Sequence, residues 1–209
     1  MSLNVIKLAS VAAALAALSF GAQAQSVVDF EDVAGYAFLA NSSIVSDGFS
    51  VAHTGSFAQV LDAGQTAFSG DGTTRLISFN TSTITLSTVG GASFGATGFD
   101  GGESWILSGS PHYWATQILV VGALATGGTT SQTFDLDLIK DPITGMQHFA
   151  LNSSFQNLNS LSFSGIGGNP EFSIDNVATT APVPEPETYA LMLAGLGALG
   201  FVARRRQRA

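Results

Sequence analysis

Trp105, His112, Tyr113 and Trp114 gather in one short stretch that also holds glycine, serine and proline. On a loop, flat aromatic faces stack against the apolar face of a sugar ring, so Trp105, Tyr113 and Trp114 are the candidate ligand contacts. The same two tryptophans could instead fill a core or plug its end. Gly91-Ala92-Ser93-Phe94-Gly95 has the Gly-x-Ser-x-Gly spacing of a nucleophile elbow, with Asp137 and His148 following in hydrolase order. An elbow needs a helix directly after its serine, and Ala96-Thr97-Gly98-Phe99-Asp100-Gly101-Gly102 is unsuited to start one. Asp135 and Asp137 stand two apart on an expected strand and so share a face, as the carboxylate pair of a glycosidase would. Thr133 and Ile139 continue that face without another polar partner, which favours a solvated outer surface. His53, His112 and His148 are too scattered for a metal motif, and no glycine-rich phosphate loop precedes a helix. The Asn-x-Ser/Thr triplets opening at Asn41, Asn80 and Asn152 read as composition. No residue is assigned a catalytic role, and the expectation is a protein that is not an enzyme.

Any such residues need a scaffold, and the composition limits what it can be. Charged residues are scarce, at 11% of 209, whereas glycine (24) and phenylalanine (15) are plentiful, which suits strands and turns. Between Gln25 and Val183 only Arg75 and Lys140 are basic, against thirteen acidic residues. A surface of that sign repels phosphate backbones and argues against nucleic-acid binding. Cysteine is absent, so disulfides, thiolate zinc sites and cysteine nucleophiles are excluded.

From residue 26 to 177, short β-branched and aromatic runs alternate with Gly, Asn, Asp and Ser, and no stretch offers a capped amphipathic helix. Strands are expected over 27–31, 49–53, 83–88, 117–123, 131–138, 147–152, 160–164 and 172–177. Eight strands at this length fit an all-β, jelly-roll-like sandwich of two sheets, with Phe134, Leu136 and Leu138 pointing inward from one of them.

The two ends have a different character. A short start with Lys7, an apolar run from Leu8 to Phe20 and the small-x-small triplet Ala22-Gln23-Ala24 read as a secretory signal over 1–24, leaving Gln25 as the mature N-terminus. The body is expected over 25–180. From Ala181 to Glu187 the chain is proline-rich and reads as a stiff extended linker. Tyr189 to Ala203 is wholly apolar, long enough for a marginal membrane-spanning helix of about 22 Å at about 1.5 Å per residue. Arg204, Arg205, Arg206 and Arg208 then hold that end in the cytoplasm and leave the body outside the inner membrane.

Val183-Pro184-Glu185-Pro186-Glu187-Thr188-Tyr189-Ala190-Leu191-Met192-Leu193, followed by a Gly-rich apolar run and an Arg cluster, resembles the PEP-CTERM sorting signal of Gram-negative bacteria. The resemblance implies recognition of residues 181–209 by the membrane protease-transpeptidase exosortase. Pro184, Glu185, Pro186, Arg204, Arg205 and Arg206 are then the sorting signal and not an active site. It also implies the Sec export machinery and signal peptidase as partners, passage through the inner membrane, and delivery to the envelope, an extracellular matrix or the exopolysaccharide of a biofilm.

The body is similar to jelly-roll ectodomains that often precede such tails. It shares an opening Val28-Asp29-Phe30-Glu31-Asp32, a middle Ser93 to Asp100 and a closing Phe172-Ser173-Ile174-Asp175-Asn176-Val177. Many carbohydrate-binding jelly rolls begin and end likewise, so the resemblance admits either a structural module or a specific carbohydrate-binding one. It implies that the first and last strands lie together, with Glu31 and Asp175 as carboxylate ligands of a structural calcium ion. Asp29 or Asp32 would lie near.

Overall fold

The computed structural model describes residues 25–33, 35, 37–39, 41–55, 57–104, 114–168, 170–180, 195–197 and 204. Among them thirteen strands form two antiparallel sheets. The strands are β1 (Gln25–Val28), β2 (Ala37–Leu39), β3 (Ser43–Ser46), β4 (Phe49–Thr54), β5 (Phe57–Leu61), β6 (Arg75–Phe79), β7 (Thr83–Thr88), β8 (Gly95–Glu103), β9 (Gln117–Leu124), β10 (Thr129–Asp135), β11 (Met146–Ala150), β12 (Leu158–Ile166) and β13 (Phe172–Thr180). One sheet runs β11-β8-β13-β6-β5-β2, with β1 also on β13; the other runs β10-β9-β12-β7-β4-β3. The architecture is the all-β two-sheet sandwich that the sequence predicts.

Alternation makes the second sheet. Ile84 and Leu86 of β7, Leu161 and Phe163 of β12, and Ile118 and Val120 of β9 are buried on its inner face. On the outer face the same strands are joined by hydroxyl pairs, Thr83 Oγ1 to Ser164 Oγ and Thr85 Oγ1 to Ser162 Oγ, each at 2.9 Å. Between the sheets, Phe99 meets Phe134, Phe149 and Phe163 with ring centroids 5.0–5.4 Å apart.

The first sheet departs from simple alternation because it is covered on both faces. Every residue of β6 is buried, and a second cluster of Leu61, Phe68, Ile77 and Phe79 lies apart from the main core. Arg75 pins the segment between β5 and β6 that makes this possible. It is wholly buried and donates to the carbonyls of Ser69 (2.7 Å), Gln65 (2.8 Å), Phe68 (3.0 Å) and Thr73 (3.3 Å). Gly70 packs so closely that a Cβ there would lie 2.7 Å from the guanidinium carbon.

Thirteen strands stand where eight are expected, since β2, β3, β5, β6 and β8 match none of the expected runs, and two of the expected runs shift. The run over 27–31 stops at Val28, and Glu31–Val33 form a 3-10 turn. The run over 131–138 stops at Asp135: Leu136 is buried and Phe134 packs on the core, but Leu138 adopts a φ of 64° and stays 52% exposed. Its expected inward position fails because the chain has already left the sheet.

Residues 195–197 and 204 are helical, within the expected 189–203 helix and at its end; the rest of that helix and the signal segment 1–24 lie outside the described residues. Among the described residues no helix is long and apolar enough to cross a membrane.

Candidate functional site

The strand registers give the sandwich two ends. Gln25 pairs with Thr180 and Thr180 with Gly95, while Phe94 bridges to Leu158 and Leu158 pairs with Leu124. All of these lie at the end where the body starts and stops, called the chain-end pole below. At the far pole Phe172 pairs with Glu103, Ile166 with Gln117, and Gln117 with Asp135.

Trp114 belongs to the far pole. The chain is secured just after it by Ala115 N–H donating to Glu171 O (2.7 Å), Thr116 N–H to Ile166 O (2.8 Å) and Leu136 N–H to Thr116 O (3.0 Å). Trp114 is half-buried, and the Lys140 ammonium stands 2.9 Å from its ring centroid, a cation–π contact. Lys140 arrives on the segment between β10 and β11, where Asp137 Oδ1 accepts from Ile139 N–H (2.9 Å) and closes a tight turn. The left-handed backbone of Leu138 in that turn aims its N–H at Glu103 Oε1, 2.6 Å away.

Glu103 is fully buried, and among the described residues its Oε2 has no hydrogen-bond partner. Burial pushes this carboxyl above the usual range and nearby Asp137 adds to the effect, against the pull of the backbone N–H donors and Lys140. Burial lowers the Lys140 ammonium, and the negative Glu103 opposes that shift. Leu138, Ile139 and Ile143 stand exposed on the same segment. The arrangement sets a half-buried aromatic ring and its ammonium partner beside exposed apolar side chains, over a carboxyl that lies beneath the surface.

Trp105, His112 and Tyr113 lie outside the described residues. Sequence reasoning picked Trp114 but passed over Glu103 and Lys140. Lys140 carried a signal, since it is one of two basic residues in the body; nothing in the Gly-Gly-Glu context marks Glu103.

The other sequence candidates separate. Ser93 precedes β8, a nine-residue strand where an elbow demands a helix, so the elbow reading is excluded by fold. Asp135 accepts from Gln117 Nε2 (2.6 Å) within the sheet, whereas Asp137 lies beyond the strand end, so the expected shared face does not form. His53 is buried in β4, and His148 Nδ1 pairs with Asp100 Oδ1 at 2.8 Å. Asn41 and Asn80 adopt positive φ in turns, and Asn152 Oδ1 accepts from Ser154 N–H (2.9 Å); all three have local structural work.

β1 and β13 do lie together, as expected, but Glu31 and Asp175 engage different neighbours. Glu31 Oε1 and Oε2 accept from Thr74 N–H (2.9 Å) and Thr74 Oγ1 (2.8 Å). Asp175 is wholly buried within β13 and accepts from Thr73 Oγ1 (2.8 Å) and Asn176 N–H (2.7 Å). Asn176 Nδ2 in turn donates to Asp71 Oδ2 (3.1 Å) and Asp100 Oδ2 (3.0 Å). Among the described residues no group of three or more His, Asp or Glu side chains is placed to hold a metal ion. Each oxygen of the two carboxylates accepts one hydrogen bond, and the two residues engage separate neighbours, so no role is derived for a calcium ion.

Arg204 lies in a described helical position, while Pro184, Glu185, Pro186, Arg205 and Arg206 lie outside the described residues. The comparisons with known proteins bear on this end of the chain. The fold defines an all-β sandwich protein. Residues 182–206 match the PEP-CTERM protein-sorting motif, so the sandwich is joined to a signal that implies export, membrane transit and sorting by exosortase. No curated protein matches the sequence.

Solved structures similar to the chain include a mutant of a family 29 carbohydrate-binding module, with 13% identity and a TM-score of 0.44 over 79% of this chain and 99% of that one. Another mutant of that module, complexed with mannohexaose, gives 12%, 0.44, 78% and 94% in the same order. A module from a family 31 glycoside hydrolase of Clostridium perfringens gives 14%, 0.37, 74% and 94%. Likenesses of this size carry no argument about a ligand.

Proposed function

We propose that this is a non-enzymatic protein of the cell envelope or extracellular matrix, exported, sorted by exosortase and associated with exopolysaccharide or biofilm. The observation that carries the reading is the sorting motif over residues 182–206, set directly after a folded β-sandwich. The inner membrane is then a way station, and the sandwich is the part that works at the destination. Intact mass and cell fractionation in the native host test it. The native chain loses both ends and leaves the inner membrane, whereas replacing Pro184, Glu185 and Pro186 by Ala leaves the tail on and the protein in the membrane fraction. A native chain that keeps its tail overturns the reading.

A second reading, a carbohydrate-binding module of definite specificity, is favoured by the far-pole pair of Trp114 and Lys140. Ring stacking on an aromatic platform is worth about 1 kcal/mol. Trp114→Ala is therefore expected to weaken retention on exopolysaccharide about fivefold or more while the thermal transition stays cooperative. Retention equal to that of the native protein removes Trp114 from the site.

A further inference from the structure

We infer that the Asp141–Pro142 peptide bond is a self-cleavage site, cut by the Asp141 carboxylate at its own backbone carbonyl. The reaction does not depend on sorting and, acting once on its own chain, involves no turnover. Asp141 lies on the segment between β10 and β11, directly after Lys140. Its carbonyl oxygen accepts two backbone N–H groups, from Gly70 at 3.0 Å and from Gly145 at 3.1 Å. Gly145 N–H also reaches Gly70 O at 3.0 Å, which ties the two donors together. These distances lie in the range at which an oxyanion hole holds the charged oxygen of a tetrahedral intermediate. Both donors are glycines for want of room and not for backbone conformation, since neither has a positive φ. A Cβ on Gly145 would collide with the Asp141 carbonyl oxygen itself, and one on Gly70 would strike the Arg75 guanidinium that pins the neighbouring segment.

The nucleophile is held at the same place. Asp141 Oδ1 accepts from Ile143 N–H and Thr144 N–H, each at 2.8 Å, so the carboxylate is folded toward the peptide bond that follows it. Those donors hold it below the usual carboxylate range, and it stays charged in mild acid. The leaving atom is the proline nitrogen, which has no N–H in the chain and departs as a secondary amine. Pro142 is half-buried beside the exposed Ile143 and Thr144, within reach of water.

A carboxylate oxygen of Asp141 bonds to the Asp141 carbonyl carbon and closes a small ring, and the carbonyl oxygen takes the negative charge between Gly70 and Gly145. The bond from that carbon to Pro142 N then breaks as the nitrogen takes a proton from solvent. A cyclic anhydride is left on Asp141, and water opens it to two carboxyl groups, so that a single water is consumed in all.

Strand pairing keeps the pieces together after the cut. β10 stays on β9 and β11 on β8, while β12 and β13 of the later piece remain between strands of the earlier one. The sorting motif over residues 182–206 then belongs to the later piece, and the earlier one is held to it by hydrogen bonds and packing alone.

The full chain is incubated in mild acid, either folded or in urea, and its mass is read after denaturation. The folded chain is expected to give two fragments that meet between Asp141 and Pro142, together heavier than the parent by one water, at least about tenfold faster than the unfolded chain. Hydroxylamine present during the reaction is expected to leave a hydroxamate on the fragment that ends at Asp141. Asp141→Asn, which keeps an oxygen acceptor for the turn, is expected to stop the cut, and Asp141→Glu, whose larger ring closes more slowly, to slow it, with the thermal transition of each variant kept cooperative. Cleavage at equal rates in the folded and unfolded chains is the ordinary acid lability of an Asp–Pro bond and overturns the inference. Cleavage undiminished in Asp141→Asn, or a folded native chain that stays whole, overturns it as well.

Discussion

Arg75 shows how one side chain sets a local structure. Its guanidinium spends its donors on four backbone carbonyls of the segment between β5 and β6, and burial pulls its pKa down against the opposing charges of Asp71 and Asp175. Removing it strands those carbonyls away from water. Arg75→Met is expected to cost about 3–5 kcal/mol in denaturant unfolding, and loss of the cover over Ile77 should appear as faster amide exchange in β6. Asp175 is the opposite case. Burial, with Asp71 and Asp100 adding to it, pushes its carboxyl up to about 8. An unfolded aspartic acid titrates near 3.9. Between these values the folded chain holds a proton that the unfolded chain has released, so this contribution is complete below about pH 4 and is lost as pH rises toward about 8. The melting temperature should fall across that window, and Asp175→Asn should flatten the slope. A chelator should leave it unmoved, in keeping with carboxylates already satisfied by Thr73, Thr74 and Asn176.

Among the elements, β13 bears the most partners, with β8 along one edge and β6 and then β1 along the other. Deleting Gln25–Val28 would bare the edge of Val177–Thr180 and take the buried Val28 out of the core. It is expected to lower the urea midpoint clearly while leaving the second sheet folded in exchange experiments. Strands with clean alternation were legible in the sequence: β7 falls where expected, and β4, β9 and β12 differ only at their ends. β8 was not legible, because a run of glycines reads as loop. The glycines are there because other groups press on the strand, as at Gly102, where a Cβ would collide with the carbonyl of Gly145. β6 was hidden for another reason: burial on both faces removes the period of two, and its first residue is an arginine. The far-pole group was half legible. Aromatic residues announce themselves by type, whereas Glu103 and Lys140 matter only through a turn at Leu138 that composition does not specify.

For the molecule as a whole, the order of strands along the chain differs from their order in space. The first sheet is built around β13, the last strand of the body to be made, which lies between β8 and β6 and takes up β1 as well. Until β13 is available, β6 and β8 have no strand between them and β1 has no strand to pair with. Contacts this distant in sequence form slowly, because the loop must close before they repay it. The first sheet therefore closes last, when the residues just ahead of the sorting motif have been made.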